Sequence, residues 1–287
     1  MTLQQYLAPA LASLLMAASL GTALAAPAAK PSTAGPRVSV LPQTLTIAGL
    51  ERPRQLRLYL PPSYASSPDR RYPVIYMHDG QNLFDDATAY AGEWGMDETL
   101  DALARSHGFE AIVVGIDNGA EKRMAELLPW PNPPRFPAAE GDAYLDFIVK
   151  QVKPLIDRDY RTRPEREHTA VMGSSMGGLI SHYAIQRHPL VFSKAGVFSP
   201  SYWIVPRAET FFQEQALPDD ARIYLYAGGR EREIAAGSRQ MREWLAGTGL
   251  RGLTLNINPA ADHNEAAWRA ELARSLVWLF ELQPAKP

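Results

Sequence analysis

Gly173-Ser174-Ser175-Met176-Gly177, followed by Gly178, decides how this chain is read. The stretch fits G-x-S-x-G, and its flanks give the pattern meaning. His168-Thr169-Ala170-Val171-Met172 runs into it as a short segment that turns apolar, the mark of a buried strand. Beyond it, Leu179, Ile180, Tyr183 and Ala184 fall on one helical face, and the segment stops at His188-Pro189. Strand, tight turn and helix form the elbow that holds a nucleophilic serine at the end of a strand. The glycines permit the sharp turn and a close approach of helix to strand. Ser175 is therefore the candidate nucleophile. The competing reading is a packing turn of small residues, which does not require these flanks.

A serine hydroxyl is a weak nucleophile and needs a base, which in turn needs an orienting acid. In α/β-hydrolases the order along the chain is Ser, then Asp or Glu, then His. Downstream of Ser175 stand His182, His188 and His263. The first two lie within or at the end of the elbow helix and face away from the serine. His263 follows the alternating strand Leu253-Thr254-Leu255-Asn256-Ile257-Asn258 and precedes a helix over about residues 264–280. A loop after the last strand is where this architecture carries its base. The acid belongs on the loop after the preceding strand, Arg222-Ile223-Tyr224-Leu225-Tyr226-Ala227. That loop holds Glu231 and Glu233; Glu231 is the choice and Glu233 the reserve. The alternative for both is a solvated charge beside Arg230 or Arg232.

An oxyanion hole needs main-chain N–H groups aimed at the developing charge. Met176 supplies one. The other is expected from Gln81, on the loop His78-Asp79-Gly80-Gln81-Asn82 after the strand Pro73-Val74-Ile75-Tyr76-Met77. His78-Asp79 suggests a metal, but no second histidine lies at ligand spacing, and no cysteine exists, so neither a metal nor another cofactor is expected.

Four segments carry a resemblance to a known family. They are Tyr76-Met77-His78-Asp79-Gly80-Gln81-Asn82-Leu83-Phe84-Asp85, Gly92-Glu93-Trp94-Gly95-Met96-Asp97-Glu98-Thr99-Leu100, the elbow itself, and Phe198-Ser199-Pro200-Ser201-Tyr202-Trp203. Together they resemble the Putative esterase (esterase D-like, enterochelin esterase-like) family of α/β-hydrolases, over about residues 38–282. The resemblance implies Ser175 as nucleophile, Glu231 as acid, His263 as base, and Gln81 with Met176 as the hole. It leaves carboxylic ester hydrolysis, siderophore trilactone hydrolysis and acyl transfer open.

The remaining chain bounds the reading. A length of 287 residues, 46% of them hydrophobic and 21% charged, suits one large α/β domain. The fold expected is a mostly parallel central sheet with helices on both faces. Ala111-Ile112-Val113-Val114-Gly115-Ile116 is another continuous apolar strand, and a helix is expected over about residues 142–156. Two edge strands are expected over about residues 44–47 and 55–60. A net charge of −2 with no dense basic run argues against nucleic acid or an anionic membrane as partner. Residues 7–26 are apolar and Ala-rich, and Ala23-Leu24-Ala25 fits a signal-peptide cleavage site. The expected organisation is a leader over 1–25, a flexible Pro/Ala linker over 26–37 and the hydrolase domain over 38–287. Export to a bacterial periplasm or medium follows, with no stable membrane association once the leader is cleaved; an uncleaved anchor is the alternative.

Trp94, Trp130 and Trp203 are candidate substrate-binding residues, because a tryptophan stacks on sugars and aromatic acyl groups. The bland reading is that they close the core beneath the loops. A small-molecule or carbohydrate ester is the expected partner. The competing class is a non-catalytic carbohydrate-binding protein that keeps the fold. Against it, every element of the hydrolytic site has a candidate residue.

Overall fold

A computed structural model describes residues 30–130, 136–204 and 217–285. The expected leader, and residues 26–29 of the expected linker, lie outside these residues. The compact unit runs Pro31–Pro287 and is built on an eight-stranded sheet in the order β1-β4-β6-β5-β7-β8-β9-β10. The strands are β1 (Val38–Val40), β4 (Leu56–Tyr59), β5 (Val74–His78), β6 (Ile112–Ile116), β7 (Thr169–Ser174), β8 (Lys194–Phe198), β9 (Arg222–Gly228) and β10 (Gly252–Asn258). Neighbours from β6 to β10 are parallel, whereas β4 runs antiparallel to both β1 and β6. Residues 44–47 depart from the expectation. Leu45–Ile47 is β2 and pairs with β3 (Arg52–Arg54) in a separate two-stranded ribbon, leaving β1 as the sheet edge. A three-residue strand gives too little periodicity to show its partner.

The apolar runs explain the layers. Every residue of β5 and β6 is buried, as strands covered on both faces require. Alternate side chains divide between two cores. Val74 and Tyr76 of β5 pack with Leu145 and Phe147 of α3 (Gly141–Phe147) and with Leu179 and Ile180 of α5 (Met176–Arg187). Ile75 and Met77 pack on the opposite face, with Leu100 and Leu103 of α1 (Met96–His107) and Leu272 and Leu276 of α7 (Glu265–Leu279). The period of two along a strand puts neighbouring residues on opposite faces. Each buried Leu or Ile of this kind contributes about 1.5–3 kcal/mol relative to exposure. The helix expected over 142–156 continues from α3 through a π-helical segment, Ile148–Val152, into α4 (Lys153–Asp159).

Two close approaches fix the elbow. A Cβ on Gly178 would lie 2.6 Å from the Phe198 carbonyl oxygen, and one on Gly173 would lie 2.9 Å from the backbone of Gly177. Glycine is therefore required where α5 crosses the ends of β7 and β8.

The part of the expected linker that is described is not free. Ser32 Oγ donates to Asp85 at 2.7 Å, Thr33 Oγ1 donates to Glu93 at 3.1 Å, and Gly35 N–H donates to Asp97 at 2.9 Å. Composition suggested flexibility; three carboxylates hold the segment instead.

Candidate active site

Parallel strands deliver their following loops to one end of the sheet, where ligands bind in open α/β folds. Here that end receives Gln81 after β5, Asn118 and Arg123, the first residue of α2 (Arg123–Glu126), after β6, Ser175 after β7, Ser199 and Ser201 after β8, Glu231 after β9 and His263 after β10. Ser175 and His263 line one cleft of about 680 Å³ together with Gln81, Arg123, Glu265 and Trp268.

Ser175 sits at φ 59°, ψ −119° immediately before α5, and its N–H donates to Phe198 O at 2.9 Å. A non-glycine residue in that region is strained, and such strain concentrates at functional turns. Asp79, Ala120 and Ser199 also take positive φ, at 58°, 51° and 42°, so four loops at this end of the sheet carry it. Ser175 Oγ lies 3.3 Å from Ser201 Oγ. Ser174, its neighbour, is buried at the end of β7.

His263 Nδ1 is hydrogen-bonded to Glu231 Oε1. An ionised carboxylate only accepts, so the proton lies on Nδ1 and Nε2 is left as the acceptor. Glu231 is held from two further sides: Ser199 Oγ donates to its Oε2 at 2.8 Å, and Gly228 N–H donates to the same oxygen. Burial opposes ionisation of Glu231, but the hydrogen bonds from His263, Ser199 and Gly228 outweigh it and set the carboxyl below its ordinary range. Trp268 Nε1–H donates to Ser199 Oγ at 3.0 Å, and its ring meets His263 edge-on, with centroids 5.1 Å apart. Glu233 is exposed in the first turn of α6 (Arg232–Gly247) and takes no part in this network.

Met176 is the first residue of α5, and Gln81 the second of a single 3₁₀ turn, Gly80–Asn82. N–H groups at helix starts lack intrahelical acceptors, so both can serve a ligand. Gln81 Oε1 accepts from Asn118 N–H at 3.1 Å, which ties the β5 and β6 loops together. His78 is buried, its Nδ1 2.8 Å from Tyr144 Oη, and burial lowers its pKa to about 4. His182 is also buried, its Nδ1 2.7 Å from Tyr202 Oη.

The three tryptophans do not line the Ser175 cleft. Trp94 is only 2% exposed, stacked on Trp268 with centroids 5.7 Å apart and edge-on to Phe198 at 5.0 Å; it is a core residue. Trp130 packs on Tyr183 of α5, with centroids 5.4 Å apart, and its neighbours at 131–135 lie outside the described residues. Trp203 is 57% exposed and borders a separate groove with Tyr202 and Trp244. A tryptophan beside a site loop reads the same in sequence whether it faces ligand or core. Ser199, Ser201 and Trp268 were missed as individual residues, although the first two lie in Phe198-Ser199-Pro200-Ser201-Tyr202-Trp203. A larger cleft of about 780 Å³ opens at the amino ends of the strands, beside Pro73, Lys194 and Gly252, and no serine among the described residues lines it.

The chain matches the Putative esterase family over residues 47–279. It is 31% identical over 243 residues to the uncharacterized protein YbbA of Bacillus subtilis, covering 79% of this chain and 92% of YbbA. Among solved structures, it resembles an IroE-like serine hydrolase from Shewanella oneidensis, with a TM-score of 0.68 and 22% identity over 85% of this chain and 80% of that one. It also resembles the siderophore hydrolase EstA from Aspergillus nidulans, with a TM-score of 0.68 and 18% identity over 83% of this chain and 94% of that one. Both structural likenesses are of the α/β-hydrolase type.

Proposed function

This chain belongs to the Putative esterase family, and from that premise we propose that it is an exported serine carboxylesterase working through a Ser175–His263–Glu231 triad. The observation that carries the reading is the Glu231–His263 hydrogen bond, with His263 and the strained Ser175 lining one cleft. In the proposed cycle, Ser175 Oγ attacks the ester carbonyl while His263 Nε2 takes its proton. Glu231 keeps the imidazole in the required tautomer and stabilises the imidazolium. The N–H groups of Met176 and Gln81 receive the oxyanion. His263 then returns the proton to the departing alcohol. The same histidine then deprotonates a water that attacks the acyl-enzyme, and it returns that proton to Ser175 Oγ as the acid leaves. Ser201 Oγ, beside the nucleophile, is placed to help orient its hydroxyl.

The reading is tested by incubating the purified protein with 4-nitrophenyl acetate and, separately, with a fluorophosphonate. Expected are a burst of 4-nitrophenol equal to one enzyme equivalent, if deacylation is the slow step, and a covalent adduct on the Ser175 peptide. Ser175→Ala should abolish both, whereas Ser174→Ala should keep most of the turnover. An adduct elsewhere, or full turnover by Ser175→Ala, would overturn the assignment.

Export is proposed from the apolar stretch ending at Ala23-Leu24-Ala25. Expression in a Gram-negative host should yield periplasmic protein beginning near Ala26, as read by amino-terminal sequencing. An intact Met1 on protein in the cytoplasmic fraction would refute it.

A further inference from the structure

Glu265 is the first residue of α7, two positions after His263. An acidic residue in a first helical turn is favoured by the helix dipole and is ordinarily solvated. This one is only 7% exposed, yet it lines the Ser175 cleft. Its only donor among the described residues is its own main-chain N–H. Asn264 caps the helix by accepting from Ala267 N–H at 2.9 Å, so the Glu265 carboxylate is not needed for that task.

Arg123, the cleft's cation, eases this charge through space less than the neighbouring Asp79 opposes it. Arg123 donates to both carboxylate oxygens of Asp79, at 2.6 and 2.8 Å, and Asn118 adds a third bond to Asp79 at 2.7 Å. With Asp79 and Arg123 paired to each other, the Glu265 carboxylate has no salt-bridge partner among the described lining residues. Arg230, at the same end of the sheet, is paired with Asp262 at 2.9 Å. The rings of Tyr90 and Trp268 line the same cleft, and aromatic faces attract cations.

We propose that Glu265 is a specificity-determining residue that, with Tyr90 and Trp268, makes the Ser175 cleft select esters bearing an ammonium group and reject anionic ones. A buried carboxylate held by a single main-chain donor is a poorly solvated charge, and a cationic substrate group compensates it while an anionic one adds like-charge repulsion. The same charge pattern disfavours polyanionic metal chelates as substrates. The inference rests on the serine esterase reading.

The test uses three 4-nitrophenyl esters with the same leaving group: 4-(trimethylammonio)butanoate, its uncharged isostere 5,5-dimethylhexanoate, and the glutarate monoester. Rates are measured at mildly alkaline pH and low salt. For the native chain, kcat/KM should fall in that order, by about tenfold per step for a charge partly screened by solvent. In Glu265→Gln, the ratio of cationic to neutral ester should collapse to within about threefold of unity. The ratio cancels any general loss from a disturbed His263. A native chain that prefers the glutarate ester, or a ratio that survives in Glu265→Gln, overturns the assignment of Glu265 while leaving the esterase intact. Turnover that survives Ser175→Ala, or no turnover of any ester, overturns the esterase reading and the inference with it.

Discussion

Glu231 and His263 lie 32 residues apart, yet their side chains share a hydrogen bond, because β9 and β10 are adjacent, parallel and in register. Gly228 pairs with Asn258, so the two loops leave the sheet at one level. Glu231 lies three residues past that level and His263 five.

Glu231→Gln should lower kcat on 4-nitrophenyl acetate by about 10²-fold or more, since an amide can hold the wrong histidine tautomer. Glu233→Gln should stay within about twofold, because Glu233 is exposed on α6. Steady-state kinetics on protein of unchanged circular dichroism decides it. The reverse order would move the acid to Glu233, and two indifferent variants would reduce the site to a Ser–His dyad.

The elbow was legible because its pattern is local: glycines, strand and helix all fall within about twenty residues of Ser175. The meeting of His263 with Glu231 was legible because parallel strands send every following loop to one end, so their place in chain order sufficed. The support around them was not. Trp268 reaches Ser199 across 69 residues, and nothing in either segment's periodicity signals that meeting. The same limit explains the tryptophans, whose ring chemistry suits ligand and core equally, and the segment at 32–35, whose Pro/Ala surroundings hid its three acceptors.

Trp94→Ala should act on stability. Its ring lies between Trp268 and Phe198 in the core behind the site. Truncation there should cost about 3–5 kcal/mol, the range for a buried aromatic side chain. Urea unfolding monitored by circular dichroism measures the loss. A KM increase of tenfold or more with an unchanged urea midpoint would return Trp94 to the substrate-binding residues.

A chain beginning at Ala26 should keep the full unfolding temperature, whereas one beginning at Val38 should lose several degrees. The shorter chain leaves Asp85, Glu93 and Asp97 without the donors at Ser32, Thr33 and Gly35. Each lost bond to a carboxylate is worth about 1–3 kcal/mol when the acceptor is buried and less for Asp85, which is only half-buried. Calorimetry of the two chains checks this. Equal unfolding temperatures would mean that the segment behaves as the free linker its composition suggested.

Asp97, which accepts from Gly35 N–H, should make stability fall as pH rises. Burial is the main cause; the Gly35 N–H opposes it and the neighbouring Glu98 charge adds to it, and the net effect raises the carboxyl from 3.8 to about 6. Between those values the folded chain keeps a proton that the unfolded chain has released. Stability from this group is therefore complete below about pH 4, declines through the window, and is lost above about pH 6. Asp97→Asn retains an oxygen acceptor for Gly35 but carries no charge. The variant should unfold at a higher temperature than the native chain at neutral pH, and the difference should shrink as pH falls toward 4. Thermal melts across that range test the sign. A difference independent of pH would show that Asp97 is ionised throughout, with its charge compensated in the fold.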